Sequence, residues 1–122
     1  MRHAISGNRP GGPYSPGIVA EGRFVFVAGQ GPTREGERIV GTVEEETRLT
    51  LENVRRVLEG AGSSFADVVR VGVYLADLDD FAAMNGVYET FFPEPRPART
   101  TIGCALRAGM KVEIDCVAGV RT

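Results

Sequence analysis

Two late segments carry the residues whose types and spacing can do chemistry. Pro97-Ala98-Arg99-Thr100-Thr101-Ile102 places an arginine just inside a strand, and Val112-Glu113-Ile114-Asp115-Cys116-Val117-Ala118 places two carboxylates at alternate positions of another. Proline fixes its own φ and biases the preceding Arg96 toward extended backbone, so the chain enters a strand as it reaches Arg99. A cation at a strand start can face a cleft. The working expectation is that Arg99 grips an anionic small molecule while Glu113 handles a proton or a water beside it. The plain alternative is a surface ion pair, which contributes little. Glu113 and Asp115, at i and i+2 on a strand, point the same way. Partial enclosure of either shifts its proton affinity toward acid-base work.

Other reactive side chains are few. His3 is the one histidine and lies near the start of the chain, so acid-base chemistry in the interior falls to Arg, Glu, Asp, Tyr, Thr, water and backbone groups. Cys104 and Cys116 form no CxxC unit, and with one histidine they do not make a closed zinc set; free thiols are expected, with a buried cysteine acting as a small apolar filler. Residues 8–17 hold three prolines and three glycines and read as an irregular loop. Its one aromatic, Tyr14, either closes over a small ligand or anchors the loop.

The balance of 14 basic and 16 acidic residues, with one lysine, carries no nucleic-acid footprint. No apolar run approaches the roughly 20 residues that span a bilayer, and Met1-Arg2-His3-Ala4 lacks an apolar signal core. A cytoplasmic protein with no nucleic-acid or membrane partner is expected. A chain of 122 residues supports one core, so residues 1–122 are read as a single domain.

The elements that must position Arg99 and Glu113 follow from periodicity. Ile18-Val19-Ala20 and Phe24-Val25-Phe26-Val27-Ala28, joined by Glu21-Gly22-Arg23, read as a hairpin whose second strand is buried on both faces. That strand ends at Gly29-Gln30-Gly31, where missing side chains let a ligand approach the backbone. Thr42-Val43-Glu44-Glu45 has capping-box spacing, and Val43, Thr47, Leu51, Val54, Leu58 and Ala61 form the apolar face of the helix it starts. The charged residues of that helix read as a solvated face. Residues 68–76 alternate as a strand. Phe81, Met84, Tyr88 and Phe91 then mark a second helix, with Asn85 one step off its stripe, and strands near 98–105 and 110–120 close the chain. The order β-β-(β)-α-β-α-β-β implies an α+β fold of about six strands in a mixed sheet, with two helices on one face. The other face needs cover, which predicts an oligomer.

Taken in order, Gly12-Pro13-Tyr14-Ser15-Pro16-Gly17, Val27-Ala28-Gly29-Gln30, Leu51-Glu52-Asn53, Val73-Tyr74-Leu75-Ala76-Asp77, Asn85-Gly86-Val87-Tyr88-Glu89-Thr90-Phe91-Phe92, Pro97-Ala98-Arg99-Thr100-Thr101 and Val112-Glu113-Ile114-Asp115 resemble the RidA/YjgF family of enamine/imine deaminases, which includes the RutC-like proteins. The resemblance covers nearly the whole chain. It implies a chorismate-mutase-like α+β fold, a barrel-like homotrimer with sites in the clefts between subunits, and hydrolysis of 2-imino or 2-amino-enoate compounds to 2-oxo acids and ammonia without metal or organic cofactor, as a defence against metabolite damage. By the same resemblance Arg99 clamps the substrate carboxylate, Glu113 positions the water, Tyr14 closes the pocket, and Ala28, Gly29, Thr101, Asn85 and Tyr88 line it. Thr101 stands where well-known members often have cysteine, and Ala28 where serine is frequent. The rival readings are a non-catalytic trimer that binds small carboxylates, the nuclease activity attributed to some relatives, and, by fold analogy alone, a chorismate mutase.

Overall fold

Thr42 opens the longer helix as its sequence predicts. Its hydroxyl accepts from the Glu45 amide at 3.1 Å while the Glu45 carboxylate accepts from the Thr42 amide at 2.8 Å, and three glutamates in the first turn complement the helix dipole. The computed structural model describes residues 2–121. In chain order these form β1 (Arg2–Ile5), β2 (Gly17–Ala20), β3 (Phe24–Gln30), β4 (Thr33–Arg34), β5 (Glu37–Arg38), α1 (Val43–Gly60), β6 (Val68–Leu75), α2 (Phe81–Phe91), β7 (Ala98–Gly103) and β8 (Val112–Gly119). The fold is α+β with a mixed sheet and two helices.

The main sheet has the order β3-β8-β6-β7. β6 and β7 are parallel, and α2 supplies the crossover that a parallel pair requires. β8 runs antiparallel to both β3 and β6. Val112, Ile114, Cys116 and Ala118 of β8, with Val71, Val73 and Leu75 of β6, form one face, buried against Leu51, Val54 and Leu58 of α1 and Met84 and Tyr88 of α2. Both helices therefore cover the same face.

Three expectations need correction. The sheet holds four strands rather than about six, because β1-β2 and β4-β5 form separate two-stranded ribbons. Ile18–Ala20 does not make a hairpin with the strand after it; β2 pairs with β1, and β3 pairs with β8. β3 is also not buried on both faces. It is an edge strand with Val27 in the core and Phe26 76% exposed, because an all-apolar run does not reveal how many of its faces one chain covers.

The open face is a lattice set by register. One row is Phe26, Val117, Arg70 and Ala98, the next Asp115, Gly72 and Thr100, and the third Glu113, Tyr74 and Ile102.

Candidate functional site

Arg99 lies on the helix-covered face. Its cross-strand partner is Val71, which pairs in turn with Cys116, and both are core residues. Its guanidinium sits 4.7 Å from the Tyr88 ring centroid, 5.2 Å from that of Tyr14 and 5.6 Å from that of Phe81, so three aromatic faces hold the cation. The loop of residues 8–17 closes over it, held by the Ser15 amide donating to the Pro97 carbonyl at 3.1 Å and by the Gly11 amide donating to the Tyr14 hydroxyl at 3.2 Å. Gly12 passes close by: a Cβ at that position would stand 3.2 Å from Arg99 Nη2 and 3.3 Å from the Tyr14 ring.

Only 9% of Arg99 is exposed, and no carboxylate among the described residues pairs with it. Its Nε and Nη1 have no hydrogen-bond acceptor. Nearby, Asn85 Oδ1 and Thr101 Oγ1 are also shielded and without partners, and the Tyr88 hydroxyl has the Arg99 guanidinium beside it. Buried polar atoms left unpaired are costly and call for an explanation; the Arg99 donors match a ligand that brings acceptors, such as a carboxylate, while Asn85 Oδ1 accepts. Burial lowers the Arg99 pKa, opposed by the neighbouring Tyr88 and Tyr14, and burial is also the main cause that raises the Tyr88 phenol. Cys116, on the same face, is pushed up by burial to about 12, so it is an inert thiol. Both cysteines are free.

Glu113 is not beside Arg99. It pairs with Tyr74 on the open face, so the two residues point to opposite sides of the sheet, Arg99 from the edge strand β7 and Glu113 from β8 next to the other edge strand. Within one chain, therefore, the register keeps the two residues apart. The Glu113 carboxylate lies over Gly29, where an added Cβ would fall 2.2 Å from Oε2, and Ala28 is exposed on the same strand. Glu113 makes no hydrogen bond or ion pair among the described residues, whereas Asp115 accepts from the Gly72 amide at 3.1 Å and from the Tyr74 hydroxyl at 2.8 Å.

One group thus gathers Arg99, Tyr14, Tyr88, Asn85 and Thr101, and the second gathers Glu113, Gly29 and Ala28. Sequence reasoning had placed Phe81 in the packing stripe alone and had given Gly12 and Gly72 no role. Gly72 carried a signal, since a glycine inside a strand marks a close approach. Glu46 was missed altogether: 2% exposed, it accepts from the Gly41 and Lys111 amides and pairs with Arg38 and Lys111, tying β5 and the start of β8 to α1.

Comparison with known proteins adds a second line. The family model described as endoribonuclease L-PSP matches residues 5–120. The mitochondrial protein mmf2 of Schizosaccharomyces pombe is 46% identical over 112 residues, covering 88% of both chains. The 2-iminobutanoate/2-iminopropanoate deaminase of Dermatophagoides farinae is 35% identical over 112 residues, covering 89% of this chain and 87% of its own. Among solved structures, YyfB of Yersinia pestis, from the conserved Rid protein family, superposes with a TM-score of 0.86 at 27% identity, covering 98% of each chain.

Proposed function

The chain belongs to the YjgF/RidA family, matched by the endoribonuclease L-PSP model over residues 5–120, and on that premise we propose that it hydrolyses reactive 2-imino and 2-amino-enoate acids to 2-oxo acids and ammonia. The observation that carries this reading is the buried Arg99 fork with Nε and Nη1 unsatisfied. A planar guanidinium with buried, unsatisfied donors fits a carboxylate, and the bond is charge-assisted on both sides.

The reaction proceeds by positioning. Arg99 holds the carboxylate, with Tyr14 and Tyr88 flanking it, and the imine carbon is set beside a water held by Glu113. The water oxygen bonds to the imine carbon as Glu113 takes its proton. Glu113 delivers that proton to nitrogen, which has taken the C=N π pair, giving a carbinolamine. It then takes the carbinolamine hydroxyl proton and passes it to nitrogen, so that the C=O bond forms as the C–N bond breaks and ammonia leaves a 2-oxo acid. Ala28, Gly29, Thr101 and Asn85 shape the space around the substrate.

Arg99 and Glu113 face opposite sides of their own sheet, so a working site takes the arginine from one copy and the glutamate from another. A homotrimer with three such clefts is the assembly we propose. Two features support it: Phe26 stands 76% exposed, and a groove of about 560 Å³ along the open face brings Phe24, Phe26 and Val117 together with Arg70, Arg99 and Thr100.

The test couples a threonine dehydratase to the purified protein and traps released imine with semicarbazide. The wild type is expected to lower the trapped product, and Arg99→Ala and Glu113→Ala to lose that effect. If no imine is consumed by the wild type, the deaminase reading fails. Binding of 2-oxobutanoate without ammonia release would instead establish the clefts as carboxylate-binding sites.

A further inference from the structure

Glu113 and Asp115 share one face of β8, about 7 Å apart along the strand, yet end in different states. Asp115 is saturated, with the Gly72 amide donating to Oδ1 at 3.1 Å and the Tyr74 hydroxyl to Oδ2 at 2.8 Å. Two glycines on the flanking strands separate the carboxylates. A Cβ at Gly72 would lie 2.5 Å from Asp115 Oδ1 and 2.7 Å from the Tyr74 hydroxyl oxygen, and one at Gly29 would lie 2.2 Å from Glu113 Oε2. Asp115 therefore leans toward β6 and Glu113 toward β3. Tyr74 is directly opposite Glu113 in the register and diagonal to Asp115, so it stands beside one carboxylate and bonds the other.

We propose that Tyr74 is a positioning residue of this site: through Asp115 it ties down the second carboxylate of the strand and leaves Glu113 alone free to meet water and substrate. The inference rests on Glu113 being the water-activating acid of the proposed deaminase. An untied Asp115 is a second base on the same face, and carboxylates that come within reach of one another share a proton and titrate as a pair. A phenol donating to a carboxylate is a charge-assisted bond strong enough to hold it. The charges around Tyr74 agree with this arrangement. Its phenol is raised, first by the bond to Asp115, then by burial and by the charges of Asp115 and Glu113, with Arg70 opposing. β3 and β7 place no titratable side chain in these two rows; they contribute Gly29, Thr100 and Ile102.

The test uses the full-length protein and its Tyr74→Phe, Asp115→Asn and Tyr74→Phe/Asp115→Asn variants, with Glu113→Gln as control. kcat/KM on 2-iminobutanoate is measured across pH, and the tyrosine phenols are titrated by 13C NMR of labelled rings. Tyr74→Phe is expected to lower kcat/KM about fivefold at neutral pH and to move the acid limb of its profile upward. Adding Asp115→Asn is expected to return the limb to its wild-type position, because the untied charge is gone. In Asp115→Asn alone, the Tyr74 phenol is expected to titrate at lower pH than in the wild type. An unchanged profile in Tyr74→Phe beside an inactive Glu113→Gln overturns this inference and leaves the deaminase reading standing. So does a shifted profile that Asp115→Asn does not restore, or a Tyr74 titration that Asp115→Asn leaves unmoved. A fully active Glu113→Gln removes the role of Glu113 on which the inference rests.

Discussion

Gly29→Ala isolates the placement of Glu113 from the stability of the fold. The added Cβ would stand 2.2 Å from Glu113 Oε2, 2.9 Å from Cδ and 3.2 Å from Cγ. Ordinary contact begins near 3.4 Å, so the carboxylate must move by about 1 Å. It is able to move, since it is the far end of a flexible side chain with no hydrogen bond or ion pair among the described residues, and Gly29 is not one of the positive-φ glycines. The change in unfolding free energy is expected to stay within about 1 kcal/mol, because a backbone-compatible alanine also restricts the unfolded chain. Catalysis has no such freedom. A displacement of about 1 Å in a positioned group can cost on the order of 100-fold in rate, so kcat/KM for imine hydrolysis is expected to fall by about two orders of magnitude. Urea unfolding and the semicarbazide-competition assay on one preparation read both quantities. Wild-type activity in a folded Gly29→Ala variant would refute the placement of Glu113 over Gly29 as the catalytic arrangement.

Glu46 gives a prediction in pH. Burial, the largest single influence on its carboxyl, raises the pKa, but the Lys111 and Gly41 amides, Arg38 and the Lys111 side chain together hold it below its ordinary value. The unfolded chain therefore binds this proton more readily than the folded one. The stabilisation is complete above the unfolded-state pKa and is lost as pH falls through the folded value. Glu46→Gln is expected to cost about 1 kcal/mol at pH 7, a modest loss because Arg38 keeps its bonds to the Ala108 and Gly109 carbonyls and Lys111 is 39% exposed, and to reduce the acid dependence of the urea midpoint; equal midpoint losses at pH 7 and below pH 3 would contradict this. On the open face, Phe26→Glu is expected to yield a folded monomer by light scattering and circular dichroism with imine hydrolysis lost. Persistence of the wild-type mass would remove this face from the interface.

Local signals carried much of the fold into the sequence. The capping box at Thr42 and Glu45 fixed where α1 begins, because two reciprocal side-chain bonds at set spacing serve a helix start. The alternation of β8 sorted Glu113, Asp115 and Val117 from the core-facing set correctly, since a strand repeats every two residues. Partnership between strands was not legible. Period two states which residues of one strand share a face, but not which face of the next strand they join, so spacing alone did not show that Arg99 and Glu113 leave opposite sides of the sheet. Arg2–Ile5 is too short and polar to announce itself as the partner of β2. Glu46 looked like one more charge on a solvated helix because its partners, Arg38 and Lys111, lie far from it in sequence or on another element. The roles of Arg99, Glu113 and Tyr14 came from family resemblance, which their bare spacing does not supply.

Mixing two inactive variants tests most directly whether a catalytic site joins Arg99 of one copy to Glu113 of another. Arg99→Lys and Glu113→Gln chains, each purified as an inactive oligomer, are dissociated, mixed in equal amounts and reassembled. If each cleft draws the two residues from different copies, random assembly restores both to about one quarter of the clefts. Imine hydrolysis should return to about that fraction of the wild-type rate. If a single chain supplies both residues, every cleft in the mixture lacks one of them, and a mixture as inactive as its parents would contradict the account.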